Sequence, residues 1–107
     1  MGKMLTSTIK SSKDISDTYK IVKKVIDDQN LKITKDKCKE NEFNISAKES
    51  MKWLTTNWPT IVEINAEIFE GNVMVKLSAS SKGTSITQDS NTNSFLNNIV
   101  TSIQAYL

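Results

Sequence analysis

Few side chains in this sequence could carry out covalent chemistry. The chain has no histidine, and its one cysteine, Cys38, lies between Lys37 and Lys39. These counts exclude Ser-His-Asp and Cys-His nucleophilic sites, His-ligated metals, zinc fingers and an internal disulfide. Flanking lysines can make a thiol more reactive toward oxidants, but a thiol with no resolving cysteine is usually incidental.

Glu63 and Glu67 are the best-spaced pair of carboxylates in the chain. Four residues apart on a predicted strand, they point to the same side at a separation of about 13 Å. That separation exceeds the range in which two carboxylates share the hydrolysis of a glycosidic bond. We therefore predict that the protein is not an enzyme and uses neither a cofactor nor a metal.

Large apolar side chains at unexpected positions are better candidates for function. Met51, Trp53 and Trp58 lie in a segment between two predicted strands, while Phe69 and Met74 lie on the hairpin face opposite its buried row. Aromatic and methionine side chains on a surface often mark a binding site. The alternatives are that the segment folds over the core and buries its tryptophans, and that the hairpin face is simply solvated.

The basic residues limit the kinds of partner. All fourteen are lysines, and the formal net charge is +2. Arginine supplies the bidentate contact that reads guanine, so a sequence-specific reader of nucleic acid is not expected. Ten of the lysines fall within residues 1–39, against five acids. This excess could form a weakly basic face for nucleic acid or an anionic membrane, or the solvated flank of a helix.

Length and hydropathy predict one soluble domain, residues 1–107, in which 37% of the residues are apolar. No apolar run approaches the roughly 20 residues that span a bilayer, and the first residues lack an apolar signal segment. We expect a cytoplasmic protein, and a single cysteine agrees with a reducing compartment.

The first half of the chain predicts a strand, a helix and a hairpin. Residues 4–10 are typical of a strand, and a helix follows with Ser11 or Ser12 as its N-cap and Asn30 as its terminator. Residues 31–34 and 43–48 both place apolar residues at odd positions. Their antiparallel pairing therefore requires an odd-length turn or a bulge, with Cys38 at or next to the turn. The apolar face of the helix comprises Ile15, Tyr19, Val22 and Ile26, with Ile21 and Val25 beside it.

A second hairpin, residues 60–70 with 73–81, is predicted around a Gly71-Asn72 turn. Pairing Glu70 with Val73 sets Ile68 opposite Val75. We predict a break at Gly83, a short edge strand at Ile86 and a closing helix that begins within residues 89–93. The apolar stripe of that helix comprises Phe95, Leu96, Ile99, Val100, Ile103, Tyr106 and Leu107.

These elements predict an α+β fold with the order β-α-β-β-β-β-α. Two amphipathic helices, each with one apolar stripe, must pack on one face of an antiparallel sheet of four to five strands. The order matches the TATA-binding-protein-like and helix-grip arrangements, a likeness of topology that implies no function.

Short polar motifs precede the closing helix: Ser80-Ser81-Lys82-Gly83-Thr84, then Gln88-Asp89, Asn91 and Asn93. This pattern resembles that of a family of small uncharacterised bacterial domains. Those domains have a leading helix, a sheet with a tryptophan-bearing loop, and a closing helix. Their pattern prefers an aromatic-glycine pair after the aspartate, where this chain has Ser90. The resemblance implies the fold and no activity.

The leading hypothesis is a non-enzymatic interaction module that binds a protein partner or itself. It would bind through the exposed sheet face and through the segment that carries Met51, Trp53 and Trp58, which we call the tryptophan loop. One alternative is a small hydrophobic ligand or lipid held between the sheet and the closing helix. Another is non-specific binding of single-stranded nucleic acid, which needs aromatic residues interleaved with basic ones. Trp53 beside Lys52 is the one such pair.

Overall fold

The computed structural model describes residues 5–49, 60–80 and 86–107, and the side chains of the last segment from residue 93 onward. Its five strands form one antiparallel sheet in the order β1-β5-β4-β3-β2. This confirms the predicted α+β fold and its order of elements. The elements are β1 (Leu5–Ser11), α1 (Ile15–Asp28), β2 (Lys32–Cys38), β3 (Glu42–Lys48), β4 (Ile61–Phe69), β5 (Asn72–Ser80) and α2 (Ile86–Tyr106).

Both helices pack on one face of the sheet, which we call the inner face; the opposite side is the outer face. Alternate strand residues turn inward and join the helices in one buried cluster. The strands contribute Ile9, Phe43, Ile45, Ala47, Val62, Ile64, Ala66, Val73, Val75, Leu77 and Ala79, and the helices contribute Ile15, Val22, Val25, Ile26, Leu96, Ile99 and Ile103.

The ends of α1 differ partly from the prediction. Its N-cap is Asp14, whose Oδ1 accepts a hydrogen bond from the Asp17 amide at 2.7 Å, so neither Ser11 nor Ser12 caps it. Ser11 is instead buried at the end of β1, where its hydroxyl lies 2.9 Å from that of Thr18. Asn30 has the left-handed φ of 58° that was predicted for the terminator.

The β2–β3 hairpin contains a bulge, one of the two predicted ways to pair the odd-numbered apolar residues of its strands. Ile33 pairs with Ala47 but Lys35 pairs with Ser46, so Thr34 is the extra residue. After this bulge the side chains of β2 exchange faces. Cys38 pairs with Phe43 and ends the strand next to the turn, as predicted.

The predicted register of the second hairpin is wrong by two residues. Phe69 pairs with Asn72, so the turn is Glu70-Gly71, with φ values of 50° and 81°. Positive φ at both positions suits the right-handed twist of a two-residue hairpin. A shift of two leaves every side chain on its predicted face. Ile68 nevertheless pairs with Val73 and is 50% exposed, because it borders an open depression beside the start of α1.

The closing helix begins earlier than predicted. α2 starts at Ile86, so the edge strand at Ile86 and the helix start within residues 89–93 are both wrong. The first turns of α2 are polar, and apolar periodicity does not reveal a helix there. Tyr106, predicted in the apolar stripe, is 42% exposed. Gly83 lies outside the described residues. Within those residues, no helix has the length and apolarity to cross a membrane.

Candidate functional site

The outer face is the surface that neither helix covers. In β4 its residues alternate with the buried row, and all five are exposed: Ile61, Glu63, Asn65, Glu67 and Phe69. The adjoining strands β3 and β5 place polar and half-buried side chains beside them. The face is therefore mainly polar, with a few apolar side chains.

The structure brings two predicted site residues together on this face. Phe69 pairs with Asn72 and Met74 pairs with Glu67, so Phe69 and Met74 are diagonal neighbours near the β4–β5 turn. Phe69 is 58% exposed, and Met74 is half-buried. The other three predicted site residues, Met51, Trp53 and Trp58, lie outside the described residues, so the tryptophan loop stays a prediction.

A group of lysines, missed in the sequence, lies at the β2 end of the outer face. Lys35 and Lys37 pair with the outward-facing Ser46 and Asn44 because the bulge has exchanged the faces of β2. Lys32, which precedes the bulge, pairs directly with Lys48. We call Lys32, Lys35, Lys37 and Lys48 the lysine strip.

The lysine strip lacks compensating acids in the described part of the chain. No described acid lies within ion-pair distance of any of its four lysines. Among the residues whose side chains are not described, 1–4, 50–59 and 81–92, one is acidic, Asp89. Like charges directly opposite each other destabilise a sheet, so the Lys32–Lys48 pair is unfavourable for folding alone.

An open depression of about 440 Å³ adjoins the strip on the outer face. On its floor, the side-chain Nδ2 of Asn44 donates to Asn65 Oδ1 and, at 3.3 Å, to Glu63 Oε1. The side-chain amide oxygen of Asn44, Oδ1, is buried without a hydrogen-bond partner in the described structure. The polar groups around the floor are those of Lys37, Lys39, Glu42, Asn65, Glu67 and Lys76.

The carboxylates of this face do not converge. Glu67 is 3.8 Å from the Lys76 ammonium, while Glu63 accepts from Asn44. Within the described ranges, no three side chains of His, Cys, Asp or Glu are grouped to hold a metal ion. Cys38 is exposed, and its thiol lies 3.7 Å from the Lys39 carbonyl oxygen. The side chains of the outer face therefore offer charges and hydrogen-bonding groups, and the described ones form no grouped metal ligands.

A second polar cluster joins α1 to β2 on the inner side. Because of the bulge, Asp36 faces α1, where its carboxylate accepts from the Tyr19 hydroxyl at 2.6 Å and the Lys23 ammonium at 2.9 Å. The Tyr19 ring meets Phe43 edge-on, with centroids 5.4 Å apart. The sequence analysis did not predict this cluster. Tyr19 and Lys23 lie one helical turn apart in the sequence, but their partner Asp36 could not be identified without knowing where the bulge falls.

Each member of this cluster stabilises the ionisation state of the others. Hydrogen bonds from Tyr19 and then Lys23 lower the pKa of the Asp36 carboxyl. The hydrogen bond to Asp36 raises the pKa of the Tyr19 hydroxyl and that of the Lys23 ammonium. The stabilisation is therefore complete at pH values above the ordinary pKa of an aspartate and below the ordinary pKa values of tyrosine and lysine. It is lost as pH falls through the lowered pKa of Asp36, and again as pH rises through the raised pKa values of Lys23 and Tyr19.

Asp36→Asn is expected to lower the free energy of unfolding by about 0.5–1 kcal/mol at pH 7, the range of partly exposed ion pairs and their hydrogen bonds. The difference from wild type should vanish well below about pH 4, where both side chains are uncharged. Urea unfolding at pH 7 and pH 2.5 measures both values. Asp28→Asn, at an exposed helix end, is the control. A deficit of Asp36→Asn that persists unchanged at pH 2.5 would contradict the electrostatic account.

No known protein family and no curated protein sequence matches this chain. Among solved structures, it is similar to the vertebrate conserved region of human METTL16, at 12% identity and a TM-score of 0.56, over 94% of this chain and 98% of that one. It is also similar to Ara h 8.0201, at 8% identity and a TM-score of 0.56, over 99% of this chain and 97% of that one. Identities this low support the fold alone.

Proposed function

We propose that this protein is a non-enzymatic binding module whose outer face engages an acidic surface of a partner protein. The observation that carries the proposal is the lysine strip, in which Lys32 and Lys48 lie directly opposite each other without a described acid nearby. A carboxylate placed between them would remove a repulsion that the isolated domain retains.

The charge of the whole outer face supports an acidic partner. Lys10 and Lys76 add to the four lysines of the strip, and Glu42, Glu63 and Glu67 oppose them, for a net charge of +3 on the described strands. Complementary charge increases the rate of encounter and fixes orientation. The diagonal neighbours Phe69 and Met74 provide an apolar contact at the other side of the face, typical of a protein interface.

A protein fits this face better than single-stranded nucleic acid. Stacking of bases requires aromatic side chains beside the basic ones. Phe69, the one described aromatic residue on the outer face, is four positions and two strands away from Lys37. The lysines therefore offer charge without a stacking platform.

The test is photo-crosslinking in the native host from a reactive residue introduced at Ser46, which lies between Lys35 and Glu63 on the outer face. The crosslinked protein is identified by mass spectrometry, purified and titrated against three forms of the chain. These are wild type, Lys35→Glu/Lys37→Glu, and the control Lys13→Glu/Lys20→Glu, which makes the same change of charge at exposed positions around α1.

We expect the strip variant to bind the partner at least about tenfold more weakly than wild type, and the control less than about threefold, because only the strip faces the partner. The affinity of wild type should also fall with added salt. Equal binding by the strip variant and the control would contradict the proposal. So would capture of no protein, together with strip-dependent binding to an oligonucleotide or an anionic vesicle.

The ligand-binding alternative and the resemblances to other domains are not part of this proposal. A ligand held between the sheet and α2 finds little space in the described part of that interface, since Ile99, Ile103 and Leu77 have at most 1% of their surface exposed. The resemblances to small bacterial domains and to the TATA-binding-protein-like arrangement also stay predictions.

A further inference from the structure

The two edges of the sheet differ in their protection against pairing with another strand. β2 carries Lys32, Lys35 and Lys37 and is interrupted by the bulge at Thr34. Charged side chains and bulges are two means by which natural proteins prevent edge-to-edge pairing. β1 lacks both devices over most of its length. It keeps a regular register with β5 from Leu5 to Ser11 and carries one charge, Lys10.

The composition of β1 is that of a strand that pairs readily. Its sequence, LTSTIKS, contains three β-branched residues and no proline or glycine. Across residues 5–49, 60–80 and 86–107, β1 pairs with β5 on one side and contacts α2 on the inner face, and no strand pairs with its other side.

We propose that β1 pairs antiparallel with β1 of a second copy of this chain, with Thr8 at the two-fold axis. This centre sets Lys10 opposite Thr6 of the second copy and keeps the two Lys10 residues about 13 Å apart along the strands. Inner-face residues stay on the inner face. The product is a continuous sheet of ten strands with all four helices on one side.

Closure favours a second copy over an unrelated strand. An antiparallel pair of β1 strands is isologous, so each copy uses and covers the same edge. The edges that remain are the two β2 strands, which are protected by lysines and a bulge. Association therefore stops at two. This contact uses the edge of the sheet and not the lysine strip, so its test is independent of the proposed function.

Charge substitutions at Thr8 test the pairing because they act at the axis. Thr8 is exposed and paired with Lys76 on the outer face, so inner packing is not altered. Thr8→Lys alone, or Thr8→Glu alone, sets like charges directly opposite each other, whereas an equimolar mixture sets lysine opposite glutamate. The matched controls are Thr101→Lys and Thr101→Glu on the exposed side of α2.

Sedimentation equilibrium of the full chain gives the dimer dissociation constant of each variant and of the mixture. We expect the constant to rise at least about tenfold for each Thr8 variant, to return toward the wild-type value in the mixture, and to stay unchanged for the controls. A wild type that is monomeric at high micromolar concentration overturns the proposal. So do Thr8 variants that associate as tightly as the controls, or a mixture no tighter than its components.

Hydrogen exchange of the wild type provides a measurement that needs no variant. The amides of β1 that point away from β5 should gain protection as protein concentration rises, while those of β2 should not. Association without this gain in β1 would place the contact elsewhere and overturn the proposal.

Discussion

Replacing Phe43 with alanine is expected to lower the free energy of unfolding by about 3–5 kcal/mol, the range for truncation of a buried aromatic residue. Phe43 is buried on the inner face of β3, pairs with Ala66 of β4, and meets the ring of Tyr19 edge-on. Its removal would leave a cavity between α1 and the sheet and would also remove the packing surface of Tyr19. Urea unfolding at pH 7 measures the change.

Phe69→Ala is the matched control, since it removes the same side chain from an exposed position on the outer face. We expect it to change the free energy of unfolding by less than about 1 kcal/mol. Equal losses for the two variants would contradict the assignment of inner and outer faces. A double-mutant cycle with Tyr19→Ala should give a coupling energy of about 0.5–1.5 kcal/mol, as found for aromatic pairs.

Replacing Ile103 with alanine is expected to cost about 2–5 kcal/mol. Ile103 is fully buried on α2, in the same cluster as the inner-face residues of the sheet. Since α2 packs on β1 and β5, loss of this side chain weakens the attachment of a whole helix as well as leaving a cavity. Chemical denaturation followed by far-ultraviolet circular dichroism provides the measurement.

Ile61→Ala is the control for this second substitution. Ile61 has the same side chain but is exposed on the outer face, so its truncation should cost less than about 1 kcal/mol. A loss for Ile103→Ala below that of Ile61→Ala would mean that α2 does not stabilise the sheet.

Local patterns predicted the elements of the fold well where one face is buried. The apolar spacing of Ile15, Val22 and Ile26 identified α1, and alternation at Phe43, Ile45 and Ala47 identified β3. The same reasoning placed the hairpin turn at Gly71-Asn72, because glycine and asparagine tolerate positive φ best. The chain instead holds Glu70 at positive φ, which lets Ile64 pair with Leu77 and Val62 with Ala79.

The candidate site was harder to predict because a bulge decides which side chains of β2 face outward. Apolar alternation in the β2 region ends after Ile33, and the next residues are mostly charged. The extra residue at Thr34 turns Lys35 and Lys37 outward and Asp36 toward α1. One residue decides which charges share a surface, and no local pattern indicates where a bulge falls. The positions of Phe69 and Met74, by contrast, followed from simple alternation.

The strand order has a consequence for how the chain folds. Neighbours along β2, β3, β4 and β5 are also neighbours in sequence apart from one longer connection, whereas the paired residues of β1 and β5 are 62 to 74 positions apart in the sequence. Closing so long a loop is entropically slow, so the four-stranded meander is expected to assemble first and the N-terminal strand to dock last. Until β1 docks, one side of β5 is open to pairing with other chains. The yield of native protein is therefore expected to depend on how quickly β1 pairs with β5.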